Sequence, residues 1–151
     1  MLRDLGYSVR GTDIIDRLHD GTIEELDFLN CHEQWNGDIL TNPPYKFALE
    51  FTEKALELIG TGNKVYMFLK LTFLESSGRR KFFEENPPKM VYVFSNRILC
   101  GMNGDFYLRD NDGNIMTDKN GNPKKMSSAA CYAWFEWEKG YQGEPHIKWI
   151  N

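Results

Sequence analysis

The chain has 151 residues, 41% of them hydrophobic and 14% aromatic, enough for one domain with its own core and too apolar for a disordered tail or linker. A formal net charge of −4 excludes a surface that holds nucleic acid by bulk charge, so any such contact needs a local basic patch. No uncharged apolar run approaches the roughly 18–20 residues of a membrane helix, and Asp4 interrupts the start where a signal peptide would run apolar. Three scattered cysteines, Cys31, Cys100 and Cys131, form no C-x-x-C pair and read as reduced thiols of a cytoplasmic protein.

In chain order, Leu2 to Leu5 reads as the last turn of a helix stopped by Gly6. Tyr7 to Thr12 alternates and closes on Asp13, which predicts a short strand. A small helix is expected around Ile23 to Leu29. Asp38 to Thr41 is a short apolar strand that halts at Asn42-Pro43-Pro44-Tyr45, because two successive prolines cannot continue a central strand. Lys46 to Ile59 carries apolar residues at three- and four-residue steps and predicts a helix, ended by Gly60-Thr61-Gly62-Asn63. Lys64 to Leu71 is nearly continuous in apolar residues, as expected of a strand covered on both faces. Ser76 to Pro88 predicts a polar helical piece, Met90 to Phe94 a strand, and Ser128 to Glu138 a last, aromatic-rich strand. Between those two strands lies a polar insertion, residues 95–127, with hairpin signals at Asp112-Gly113 and Asn120-Gly121. The pattern predicts a single α/β domain over 1–151, with no internal repeat, whose sheet ends in an antiparallel hairpin.

Asn42-Pro43-Pro44-Tyr45 carries the chemistry. It follows a buried strand and precedes a helix, the place where open α/β sheets bind ligands. An exocyclic amino nitrogen is a poor nucleophile because its lone pair is delocalised into the ring. The Asn42 side-chain oxygen and the Pro43 carbonyl are two acceptors suited to its two hydrogens, and the rigid proline backbone holds its carbonyl in place. Tyr45 offers a face on which a base taken out of its helix can stack. No thiol lies in the loop, which argues against cytosine C5 methylation, a reaction that needs a thiolate nucleophile.

On these residues the chain resembles the amino-methyltransferases that use S-adenosylmethionine, above all adenine-specific DNA methyltransferases of phage and restriction type. Their loop is Asp/Asn/Ser-Pro-Pro-aromatic, and the Asn form found here leans towards adenine. Asp13, closing Val9-Arg10-Gly11-Thr12-Asp13-Ile14, matches the family acid that binds the ribose hydroxyls of the cofactor. Asp27-Phe28-Leu29 matches the family's Asp-Phe-Leu, whose acid meets the cofactor's adenine. Tyr132 to Gly140 resembles the family's final strand. The resemblance implies a Rossmann-like methyltransferase sandwich, with Asn42, Pro43, Pro44 and Tyr45 catalytic, Asp13, Asp27 and Phe28 at S-adenosylmethionine, and DNA as partner.

The chain departs from that family in one respect. The first strand and the Phe-x-Gly-x-Gly turn that precede the Asp13 strand there do not occur here, and neither Gly6 nor Gly11 stands where that turn belongs. Met1 thus reads as an internal residue of a longer ancestor. Without the central first strand, the Asp13 strand is expected either to pair directly with the Asp38–Thr41 strand or to be covered by a second chain, most simply in a homodimer. Two other functions stay open. One is methylation of a protein glutamine amide, which poses a similar electronic problem; the other is a catalytically silent remnant that binds nucleic acid or a partner.

Other signals are weaker. Asp110, Asp112 and Asn114 imitate a calcium loop, but Ile115 and Gly121 stand where glycine and glutamate are required, so this reads as a turn. His19, His32 and His146 are too dispersed for a metal site. Arg97, Arg109, Lys119, Lys124 and Lys125, with Phe106-Tyr107, make the insertion the candidate for DNA contact. Trp134 and Trp137 read as core residues rather than as a base platform.

Overall fold

A computed structural model describes residues 2–16, 23–98, 106–126 and 130–151. Cys100, His19 and the insertion's residues 99–105 and 127 lie outside the described residues, as do 128 and 129 at the start of the last expected strand. The chain is mixed α/β. Among the described residues the strands are β1 (Gly11–Asp13), β2 (Ile23–Glu25), β3 (Ile39–Thr41), β4 (Lys64–Lys70), β5 (Met90–Phe94), β6 (Tyr132–Glu138) and β7 (His146–Ile150), and the α-helices are α1 (Ala48–Leu58) and α2 (Arg80–Glu85).

Five strands form one mixed sheet in the order β3-β4-β6-β5-β7. β3 runs parallel to β4, β6 is antiparallel to both β4 and β5, and β7 is parallel to β5. The expected antiparallel pair is present as β5 and β6, but it does not end the sheet, because β7 lies beyond β5 and runs parallel to it. β7 is an edge strand that periodicity does not announce, because its Ile147 and Trp149 stay 58% and 68% exposed and so mark no buried face.

The Asp13 strand does not pair directly with the Asp38–Thr41 strand. β1 pairs in parallel with β2, in a separate two-stranded sheet, and not with β3. Strand pairing also overrides the helix expected at Ile23 to Leu29. Glu24 of β2 is held by Arg10 at 2.9 Å, and Asp27 then caps a 3-10 turn, Phe28–Asn30, accepting from the Leu29 amide.

The helices lie over one face of the large sheet. Val65, Met67 and Leu69 of β4, Ala133, Phe135 and Trp137 of β6 and Val91 of β5 alternate onto that face. They pack against Ala48, Ala55 and Ile59 at α1 and Phe82 of α2. Phe73 sits edge-on to both Phe135 and Trp137, with centroids 5.9 and 6.3 Å away. On the other face β4 is covered unevenly, with Phe68 buried and Tyr66 half-buried, so the expectation of two covered faces holds in part.

Both hairpin signals of the insertion mark tight antiparallel turns: Arg109 bridges Ile115 around Gly113, and Thr117 bridges Pro123 around Gly121. Leu108, Met116 and Lys124, eight residues apart, close a ring of backbone bonds: Leu108 donates to Lys124, Lys124 to Met116 and Met116 to Leu108, at 2.8–2.9 Å. Each intervening corner repeats one design. Asp110 accepts from the Asp112 and Asn114 amides, and Asp118 accepts from the Asn120 and Asn122 amides. Gly113 and Gly121 occupy the left-handed region at φ 87° and 83°, where a Cβ would be strained. An eight-residue repeat thus exists where the sequence shows none at first sight, because only Asp, Gly and Asn recur while the residues between them vary.

Candidate active site at the end of β3

The Asn42-Pro43-Pro44-Tyr45 stretch leaves β3 at its carboxyl end and enters a 3-10 turn, Tyr45–Phe47, that runs directly into α1. The local chemistry explains the route. Neither proline has an N–H to give a ladder, so the strand must stop, and a helical turn tolerates proline only at its start. Pro44 sits just before that turn, and its carbonyl accepts from the Phe47 amide at 2.9 Å. Pro43 is buried, whereas Asn42 and Pro44 are exposed. The stretch is anchored at one proline and presents its amide side chain to solvent.

Tyr45 is half-buried. Its ring lies 5.9 Å from that of Tyr132 at the start of β6, and the Lys70 ammonium at the end of β4 stands 5.4 Å from its centroid. Neither Lys70 nor Tyr132 is marked by a motif, and the only sequence signal for them is that each closes or opens a strand beside the loop. A cation over a tyrosine face adds positive potential to the mouth of the site.

The three residues expected at a cofactor are placed as follows. Asp13 ends β1, is exposed, and one of its carboxylate oxygens accepts from the Ile15 amide at 3.2 Å. Asp27 is also exposed, but both oxygens serve its own turn, accepting from the Leu29 amide and the Asn30 side chain at 3.1 and 2.7 Å. Phe28 stacks on Phe51 of α1 at 5.3 Å and packs against the core. The Phe28 turn and the Tyr45 turn therefore share one support, α1. Asp13 belongs to the separate two-stranded sheet.

A charged network that sequence reasoning missed lies on the sheet face opposite α1 and α2. Glu136 is 3% exposed, ion-paired with Lys64 at 2.8 Å and accepting from the Tyr92 hydroxyl at 2.6 Å. Burial pushes its carboxyl up, but the hydrogen bonds from Lys64 and Tyr92 outweigh burial and hold it below the ordinary value. The same hydrogen bond, with burial, pushes the Tyr92 hydroxyl up to about 12. The signal available in the sequence was a glutamate inside an otherwise apolar strand.

A cavity of about 260 Å³ lies elsewhere, between α1, α2 and the end of β6, lined by Glu53, Phe82, Trp137 and Tyr141 among others. Glu138 of its lining pairs with Lys64, the first residue of β4, so this cavity is at the opposite end of the sheet from Asn42. No cluster of three metal-ligating side chains occurs among the described residues, and no helix is long and apolar enough to cross a membrane there. No family model matches the chain, and no curated protein aligns with it significantly.

Proposed function

We propose that this chain is a Rossmann-like methyltransferase domain that directs a methyl group from S-adenosylmethionine to the exocyclic amino group of adenine in DNA, in the cytoplasm. The observation that carries the reading is the Asn-Pro-Pro-Tyr stretch at the carboxyl end of β3, with Asn42 exposed and Tyr45 presenting a half-open ring. Asn42 and the Pro43 carbonyl accept the two amino hydrogens, which turns the nitrogen lone pair out of conjugation. Tyr45 stacks on the base and fixes its plane.

Bound S-adenosylmethionine supplies an electrophilic methyl carbon. The exposed Asp13 carboxylate is a suitable acceptor for vicinal ribose hydroxyls. Asp27 is less available, since its own turn already uses both oxygens. That occupation supports a second reading, a binding module without transfer activity. In either reading, Lys119, Lys124 and Lys125 of the insertion meet the phosphates.

The test is transfer of labelled methyl to adenine-containing DNA, run beside a glutamine-bearing protein substrate. Label in DNA that disappears in Asn42→Ala supports the leading reading. Label in protein alone moves the target to a glutamine amide. Binding of DNA with no label in either leaves the binding module.

A further inference from the structure

The face of the large sheet opposite α1 and α2 carries an ordered array of rings. Phe68, Trp134 and Tyr92 stand directly across from one another on β4, β6 and β5, and Lys148 of β7 is the next residue in that row. Tyr132 and Phe94 stand one step along, and Lys70 pairs with Tyr132. Phe68 touches three of these rings, Tyr132 at 5.3 Å, Trp134 at 5.2 Å and Phe94 at 6.1 Å. Tyr132 in turn meets Tyr45 of the loop. The array therefore starts at the proposed base site and continues across three strands.

None of these sheet aromatics belongs to the helix-covered core. Phe68 is buried beneath its neighbours, Trp134, Tyr92, Phe94 and Tyr132 are half-buried, and Lys70 and Lys148 are exposed. The buried acid on this face, Glu136, is neutralised by Lys64 and Tyr92, and Glu138 is paired with Lys89, so neither presents an uncompensated negative charge. Rings on a sheet face, flanked by cations, are how proteins hold unpaired bases: every base has a π-face, so stacking needs no sequence. A duplex hides its base faces and gains nothing from such an array.

We infer that this face is a platform for single-stranded nucleic acid, whose bases stack over Trp134 and its neighbours next to the base held at Tyr45. The inference rests on the reading that the loop takes a nucleobase, and it names the substrate as a single strand. It also revises the expectation that Trp134 is a core residue. Lys70 and Lys148 face the strand, and each phosphate that either one neutralises steepens the slope of log affinity on log salt by about 0.7.

The experiment uses the full chain and oligothymidylate, which stacks but offers no adenine to methylate. Oligothymidylate is expected to quench tryptophan fluorescence, and Trp134→Phe removes that quenching while retaining binding. Trp134→Ala is expected to weaken binding about tenfold or more. Should Trp134→Ala fail to fold, the exposed double variant Lys70→Glu/Lys148→Glu carries the test and is expected to lose binding. Asn42→Ala is expected to leave oligothymidylate binding intact, so failure of the platform and failure of the methyl-transfer reading give different results. Equal affinity for duplex and single strand, binding unaffected by both Trp134→Ala and the lysine variant, or a chain that only self-associates through Trp134 would each overturn the inference.

Discussion

Asn42 is an exposed side chain on a loop held by a buried proline, so its removal separates chemistry from folding. Asn42→Ala is expected to lower adenine methylation by roughly 10²–10³ while the thermal midpoint stays unchanged. A rate equal to wild type in a labelled-methyl assay would remove Asn42 from the mechanism. Glu136 is the opposite kind of residue, a buried charge whose partners set its proton. Its carboxyl is held low, so its contribution to stability is present above the ordinary carboxylate range of about 4.3 and is lost as pH falls through its folded value. Tyr92 works in the other direction. With its hydroxyl pushed up to about 12, its contribution is complete below about pH 10 and disappears as pH rises towards that folded value. Melting curves across the alkaline range should therefore show a loss of stability that Tyr92→Phe reduces. Lys64, also raised by Glu136, leaves part of the loss in place.

At the level of elements, the short strands are the ones whose sequence alone misleads. Ile23-Glu24-Glu25 has no alternation to announce a strand, and it becomes one because Arg10 and the β1 backbone supply its partners. α1 is legible, since Ala48, Thr52, Ala55 and Leu58 recur on one side and are buried there; the buried Thr52 hydroxyl is satisfied by the Ala48 carbonyl at 2.7 Å. β5 is legible to the residue, because a short apolar run between Pro88 and Ser95 has no other stable state. The two glycine corners of the insertion give a direct test of its backbone. Gly113→Ala and Gly121→Ala place a methyl in open space, so any cost arises from positive φ alone, on the order of 1 kcal/mol each. Chemical denaturation with no change in either variant would show that these corners are not left-handed in solution.

For the whole molecule, the route of the proline loop is readable from residues 42–45, because two successive prolines end β3 locally. What surrounds it is not. Lys70 and Tyr132 reach Tyr45 only because β4 and β6 are neighbours 62 residues apart in sequence at that pair, a pairing that no local pattern specifies. The separation of β1 from β3 has the same origin, since which strands adjoin is decided by the whole sheet. It also bears on cofactor affinity, because Asp13 stands in one sheet and Asn42 at the edge of another. Calorimetry is expected to find S-adenosylmethionine binding to the isolated chain weak or undetectable. Micromolar binding to a monomer would mean that another segment cradles the methionine end.

The eight-residue ring in the insertion has a kinetic consequence. Its three closing bonds join residues only eight or sixteen positions apart, so the loop entropy to be overcome is small and the unit can form before the distant strands of the large sheet meet. A ring also has no terminus from which to unravel: each amide is released only when its neighbours lose their constraint. Native-state exchange should therefore find the amides of Leu108, Met116 and Lys124 opening with one shared free energy, distinct from that of β4 and β6. Three separate values would mean that the bonds open independently. A single value would make this segment a small cooperative unit whose lifetime is set by its own geometry and not by the core of the domain.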